Sequence, residues 1–216
     1  MASVAILSKI RIKKLCKAAK KGDLITIREM MSDETKIGRD DFYYIYGCAS
    51  INGHKHVLEY TLDYQQSKSN DPNNDHNEHK TIIDFAAEGG QNDIIEWIVS
   101  LGYKKPDINT ISLAARCGEK ETVEYLLSLG YFNKGDINFA LLNACQFGHL
   151  PIIELLLENG ADDLDGPIYS ALFGGYRNVI EFLISKGAKV ERWIYRDIKD
   201  KESDIAKYLK EHLKPE

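Results

Sequence analysis

The sequence predicts an all-α protein built as a solenoid of stacked helix-turn-helix units. Two observations predict this fold: an alanine is followed four residues later by a glycine at six places, and an amphipathic segment follows each glycine. The glycines lie between 27 and 37 residues apart. Such regular recurrence indicates that one supersecondary unit is stacked along the chain. The pairs are Ala18/Gly22, Ala49/Gly53, Ala86/Gly90, Ala114/Gly118, Ala144/Gly148 and Ala171/Gly175.

Each unit is predicted to hold a short helix, a glycine turn and a longer helix. A large apolar residue stands three positions before each alanine, which is the spacing of one helix face. These residues are Leu15, Tyr46, Ile83, Ile111, Leu141 and Ile168. In four units a second glycine follows 12 residues after the first, where the end of a helix requires a positive φ. The second glycines are Gly102, Gly130, Gly160 and Gly187.

The repeats predict a single domain over residues 1–216, with six units and a degenerate C-terminal capping unit. A unit cannot bury its apolar face alone, so the end units should carry polar faces. The basic run at 9–21 is interpreted as a capping helix, with a targeting signal as the alternative. Residues 65–80 contain no apolar side chain and are expected to form a mobile insertion loop. The unit boundaries are approximately 10–34, 42–64, 80–102, 108–130, 138–161 and 166–188, followed by a cap at 191–213.

The segment 144–161, ACQFGHLPIIELLLENGA, resembles an ankyrin repeat, and the same frame recurs over roughly 190 of the 216 residues. The Thr-Pro-Leu-His start of that repeat is nearly absent, since only Thr81 and Pro167 occupy its Thr and Pro positions. The short, degenerate repeats are also similar to those in ankyrin proteins of large DNA viruses, particularly the giant viruses of amoebae. A tetratricopeptide array is the rival reading, but it requires a 34-residue period and has no glycine opening the second helix.

The ankyrin resemblance implies a non-catalytic module that binds another protein in a concave groove. In that family the two residues before each glycine, at the end of the first helix, line the groove. Phe147 and Phe173 fall in adjacent repeats and are expected to form an apolar patch; the alternative is that they pack between first helices. The predicted binding residues are Ile51, Asn52, Glu88, Arg116, Gln146, Phe147 and Phe173.

No motif in the sequence points to catalysis or to a cofactor. The chain lacks Gly-x-Gly-x-x-Gly, a phosphate-binding loop and Gly-x-Ser-x-Gly. The histidines of the two Gly-His pairs, His54 and His149, are expected to satisfy backbone groups at the turns. His76 and His79 would suit a metal only on an ordered helix, which we do not expect in the insert, so no metal site is predicted.

Two alternative functions remain open. The first is a recognition subunit that delivers a partner to a ubiquitin ligase, although no recruitment motif such as an F-box is visible in the cap. The second is a metal-dependent factor that uses the histidine-rich insert at 65–80.

Composition and charge restrict the class of partner. The net charge of −5 and the pI of about 5.7 disfavour nucleic-acid binding, which requires clustered cations. The four cysteines are few and lack Cys-x-x-Cys spacing, as expected of core thiols in a reducing compartment. No apolar run approaches the roughly 18 residues of a membrane span. We therefore expect a soluble, intracellular monomer with no membrane contact. The cytoplasm is its expected location, which means the host cytoplasm for a viral protein, and a nuclear location is left open.

Overall fold

The structure is a computed structural model, and it describes residues 2–32, 38–68, 76–102, 104–198 and 203–213. The chain divides into two compact units, Met1–Pro106 and Asp107–Glu216, called here the N-terminal and C-terminal units. Within the described ranges both units are helical, and the β-structure found there is an isolated bridge between Val190 and Leu213.

The N-terminal unit contains three helix pairs in its described part. In each pair a first helix is followed, after a short turn, by a second helix. Successive first helices α1, α3 and α5 pack against one another. The helices are α1 (Ala2–Lys21), α2 (Leu24–Ser32), α3 (Arg39–Ile51), α4 (Lys55–Lys68), α5 (His76–Glu88) and α6 (Asn92–Ser100).

The C-terminal unit contains four helix pairs in its described part, and the last of these is the predicted cap. First helices α7, α9 and α11 again pack in sequence. In the cap, Ala206 and Leu209 are buried. The helices are α7 (Ile108–Cys117), α8 (Lys120–Ser128), α9 (Lys134–Phe147), α10 (Leu150–Glu158), α11 (Asp165–Gly174), α12 (Arg177–Ser185), α13 (Arg192–Asp197) and α14 (Asp204–Glu211).

The residues that define the repeat form the core of each unit. All six repeat alanines and the six apolar residues three positions before them are buried. The second helices add their own buried stripe, for example Ile152, Ile153 and Leu156 on α10. Burying apolar side chains on both helices of a pair is the dominant stabilising contribution in such a stack.

A glycine of positive φ follows the first helix of each of the six repeat pairs, although not that of the cap. Gly118 and Gly148 end α7 and α9 with φ of 86° and 78°, the left-handed conformation that a residue with a Cβ rarely adopts. The four predicted second glycines also have positive φ, which confirms their position at the ends of second helices.

The predicted insertion loop is wrong at both of its ends. Helix α4 continues to Lys68, and α5 already begins at His76, so only residues 69–75 remain between them, and these lie outside the described residues. The Gln and Lys residues at 65–68 are good helix formers, and a lack of apolar side chains does not end a helix. Gln65 also accepts a hydrogen bond from the Tyr46 hydroxyl and donates one to Glu78, which joins both ends of the insert to the core.

Other helix starts also differ from the predictions. Helix α1 begins at Ala2, ahead of the predicted boundary near residue 10. Helix α3 begins at Arg39, ahead of the predicted boundary near residue 42, and within it Phe42 stacks on Tyr46 and Tyr43 packs edge-on against Phe85. Helix α9, capped by the Asn133 side chain, begins at Lys134, which is ahead of the predicted boundary near residue 138.

Candidate protein-binding surface

The predicted binding residues lie where each first helix ends, and hydrogen bonds from the next repeat fix the backbone there. His54 Nε2 lies 3.0 Å from the Lys20 carbonyl oxygen, and His149 Nε2 lies 2.9 Å from the Arg116 carbonyl oxygen. Because a carbonyl only accepts, the imidazole N–H donates in both. Each bond satisfies one of the carbonyls that the end of a helix leaves without an intrahelical partner. The expected structural role of the two Gly-His histidines is confirmed.

In the remaining N-terminal junction, glutamine takes the place of histidine. Gln91 Nε2 donates to the Ile51 carbonyl at 3.3 Å and to the Gly89 carbonyl at 2.7 Å. At three junctions the residue after the turn glycine therefore reaches back to the end of the preceding first helix, through His54, Gln91 and His149. These hydrogen bonds, which we call the tethers, hold the backbone at the helix ends. The predicted binding side chains take no part in them.

Two glycines bring successive first helices unusually close together. A Cβ at Gly89 would lie 2.3 Å from the Ile51 carbonyl oxygen, and one at Gly174 would lie 2.2 Å from the Gln146 carbonyl oxygen. Such distances are shorter than any real Cβ contact, so only glycine allows this approach. Both glycines directly precede a turn glycine, so the helix ends that carry the predicted binding residues are in direct backbone contact.

The predicted binding residues of the N-terminal unit, Ile51, Asn52 and Glu88, are all half-buried. The Asn52 side chain donates to the Cys48 carbonyl at 2.8 Å, which ties it to its own helix end. Two exposed lysines, Lys20 and Lys21, occupy the matching positions on α1. These positions are therefore largely polar, and basic on α1, although Tyr43 and Tyr44 are also exposed on α3.

The C-terminal unit presents a different surface at the same positions. Arg116 and Gln146 are half-buried, whereas Phe147 is 42% exposed and Phe173 is 77% exposed. A ring as exposed as that of Phe173 contributes little to a hydrophobic core, and Phe147 is only partly covered. The alternative that both rings pack between first helices is not what the structure shows.

Three further aromatic side chains of this unit were missed by the sequence reasoning: Phe139, Tyr169 and Trp193 are all exposed. Phe139 lies two turns before Phe147 on α9, and Tyr169 lies one turn before Phe173 on α11, so each pair shares a helix face. The Tyr169 and Trp193 rings are 5.4 Å apart. Helical spacing, eight residues from Phe139 to Phe147 and four from Tyr169 to Phe173, was the signal that could have found the first two. We call these five residues the aromatic face.

The side chains that could have suggested catalysis or metal binding have other roles. His79 is buried in α5, contrary to the expectation that no helix forms in the insert. Within the described residues, no group of three or more His, Cys, Asp or Glu side chains is placed to hold a metal. Burial raises the pKa of the Cys145 thiol to about 12, and burial together with Cys48 raises that of Cys16 to about 11. These thiols therefore stay protonated at neutral pH and are poor nucleophiles.

Comparison with known proteins identifies the repeat. A family model described as ankyrin repeats in three copies matches residues 111–192, all within the C-terminal unit. The fold is that of ankyrin repeats. The crystal structure of the human ASB11 ankyrin repeat domain is similar, with a TM-score of 0.65 at 20% identity over 94% of this chain and 98% of that one. No curated protein sequence matches the chain.

The ankyrin fold is typically a non-catalytic interaction module, and the comparisons indicate no enzyme family. In the part of the chain that the structure describes, no helix has the length and apolar character needed to cross a membrane.

Proposed function

We propose that this protein is a non-catalytic ankyrin scaffold that binds a partner protein through the ends of its first helices. The observation that carries the proposal is the aromatic face, five exposed rings on the first helices of one unit. Exposed apolar side chains that cluster on a folded protein mark interaction sites, and aromatic residues are frequent anchors of binding energy. Arg116 and Gln146 add polar groups at equivalent positions of the same unit.

The remaining predictions are part of this proposal. We propose that the repeats form one continuous solenoid over residues 1–216, with Ile51, Asn52 and Glu88 contributing to the same binding function. We also propose a monomeric, intracellular protein related to the ankyrin proteins of large DNA viruses, an origin suggested by its short, degenerate repeats. No nucleic acid, cofactor or metal is part of the proposed function.

The test begins by capturing the partner from native cells with the unaltered chain and identifying it by mass spectrometry. Affinity for that purified partner is then measured by calorimetry for the double variant Phe147→Ala/Phe173→Ala. We expect affinity to fall about 30-fold or more, because two exposed aromatic anchors are removed. The melting temperature should change by less than about 2 °C, because neither ring contributes much to the core.

A matched control removes exposed apolar side chains from outside the first helices. Ile25 lies on α2 and Leu101 directly follows α6, and both are exposed. The variant Ile25→Ala/Leu101→Ala should keep full affinity. Unchanged affinity in the phenylalanine variant would overturn the assignment of the surface, whereas a large loss of stability would place the two rings in the core. Ubiquitin-ligase components in the captured material would favour the recognition-subunit alternative.

A further inference from the structure

The charge of this chain is distributed very unevenly, with its cations concentrated in α1. Residues 9–21 contain six lysines and one arginine and no acidic residue. The rest of the chain therefore has 21 cations against 33 acids, a net charge of −12, although the whole chain carries only −5. Such separation produces a local positive potential on an otherwise negative protein.

The six lysines lie on one face of α1. At 100° per residue, positions 9, 13, 14, 17, 20 and 21 fall within an arc of about 140°. All six are exposed, whereas Leu15, Ala18 and Ala19 on the opposite side are buried. We call these six residues the lysine row. Between positions 9 and 21 the row is about 18 Å long.

The described part of the chain supplies no ion-pair partner to this row. Arg11 pairs with Asp41 at 2.6 Å, but none of the ion pairs found there involves a lysine of the row. Asp23, just after α1, takes its hydrogen bonds from Thr26, and the charge of Lys21 makes only a smaller contribution to lowering its pKa. The charges are therefore available to a partner.

The fold gives no reason for most of these charges. Cations in the last turn of a helix are stabilised by its dipole, which accounts for Lys20 and Lys21 but not for Lys13, Lys14 and Lys17. Like charges three or four residues apart destabilise a helix, so the row acts against the stability of α1. A capping helix that only had to be soluble could equally well carry charges of both signs on its exposed face.

The row adjoins the predicted binding residues of the N-terminal unit. Helix α1 packs against α3, and by alignment of the repeats Lys20 and Lys21 occupy the positions that Ile51 and Asn52 occupy on α3. Lys13 likewise corresponds to the exposed Tyr44. The charges thus continue the surface assigned to partner binding.

We propose that the lysine row binds an acidic peptide segment of the partner protein, about five or six residues rich in Asp and Glu. This inference rests on the proposed function, since it names the chemistry of part of the partner. An extended peptide of that length spans about 18 Å, which matches the row. A long nucleic acid is disfavoured, because beyond α1 it would meet the net charge of −12.

The test uses the full chain and a fluorescein-labelled hexaglutamate flanked by glycines, with a hexaglutamine peptide as its neutral counterpart. Fluorescence anisotropy should show salt-sensitive binding of the glutamate peptide and none of the glutamine peptide. In the variant Lys13→Gln/Lys17→Gln/Lys20→Gln, affinity should fall about tenfold, since three charge contacts are lost. The control Lys104→Gln/Lys120→Gln/Lys210→Gln removes three exposed charges outside the row and should bind normally.

Two further probes identify other occupants: a dodecathymidylate and vesicles of phosphatidylserine in phosphatidylcholine. Tighter binding of either one, lost in the row variant, would overturn the proposal. Equal losses in the row variant and the control variant would also overturn it, because they would reflect net charge alone. Circular dichroism verifies that both triple variants are folded. If only this inference fails, capture of the partner will still depend on Phe147 and Phe173.

Discussion

Two positions before each turn glycine, the N-terminal unit holds Lys20, Ile51 and Glu88, whereas the C-terminal unit holds Arg116, Gln146 and Phe173. The buried residues and backbone contacts beneath these different side chains are nevertheless the same in both units. A repeat alanine is buried four residues before a glycine of positive φ, and a residue of the next repeat hydrogen-bonds back to the helix end in both units. The buried positions and backbone contacts therefore fix where the surface lies, and its chemistry is free to differ.

The two units also differ in regularity. Second helices α8, α10 and α12 all have nine residues, and so do α2 and α6 of the N-terminal unit, whereas α4 has 14 and the first helix α1 has 20. The ankyrin family model matches only within the regular unit. The extended α4 thus preserves its helix pair while lengthening the spacing between Gly53 and Gly90, and regular spacing is what identifies a repeat in sequence.

The largest effect on stability is expected where first helices touch. Gly89→Ala in one unit and Gly174→Ala in the other should each cost about 2–3 kcal/mol, because backbone atoms must move apart. Gly102→Ala is the matched control: its φ is 76° but a Cβ there would meet nothing within 4 Å, so only the conformational cost of about 1 kcal/mol applies. Urea denaturation measures all three.

The two tryptophans allow each unit to be followed separately. Trp97 lies in the N-terminal unit and Trp193 in the C-terminal unit. Replacing one of them by phenylalanine leaves the other as the single tryptophan whose fluorescence reports unfolding of its own unit. Gly89→Ala should lower the denaturation midpoint seen by Trp97 most, and Gly174→Ala that seen by Trp193. If Gly102→Ala lowers the free energy of unfolding as much as Gly89→Ala does, close approach of the backbones is not the reason that position 89 requires glycine.

A smaller effect is expected from the tethers between repeats. His149→Ala should cost about 1 kcal/mol, because the Arg116 carbonyl loses its donor, and His54→Ala should cost a similar amount. Since Gln91 makes the equivalent bond, His149→Gln should restore more than half of the loss. Thermal unfolding measures these variants, and a glutamine variant no more stable than the alanine variant would contradict the tether.

The buried part of the fold was predictable because its positions repeat. Ala144 and Leu141 were assigned to the core by spacing alone, since helix packing permits only small or apolar side chains there. The extension of α4 to Lys68 was not predictable from apolar periodicity, since residues 65–68 are held by helix propensity and by the Tyr46–Gln65 hydrogen bond. That bond joins residues 19 apart and has no local sequence signal.

The candidate surface was predictable in position but not in extent. Phe147 and Phe173 were assigned from their places before the turn glycines, and both are exposed. Tyr169 and Trp193 come together only through the packing of the cap, which the degenerate end of the sequence does not reveal. The functional assignment of these residues stays a prediction until a partner is measured.

The smallest predicted effect distinguishes two carboxylates, the half-buried Asp23 in the N-terminal unit and the exposed Asp162 in the C-terminal unit. In the C-terminal unit, hydrogen bonds from Lys134 and then Asn138 lower the pKa of Asp162. In the N-terminal unit, the hydroxyl and backbone N–H of Thr26 lower the pKa of Asp23. Because both pKa values are lowered by folding, the small contribution of each group to stability is present above its unfolded pKa. It is lost as the pH falls through the folded value.

Salt distinguishes the two causes, since a lysine contact is screened and a neutral hydroxyl contact is not. Carboxyl ¹³C titration by NMR should show the pKa of Asp162 rising towards its ordinary value in about 1 M salt, where the Debye length is only about 3 Å, while that of Asp23 changes less. Lys134→Gln should raise the pKa of Asp162 at low salt and leave Asp23 unaffected. Equal salt sensitivity at both sites would mean that Lys134 does not govern Asp162, and the unit-specific account of these loops would be wrong.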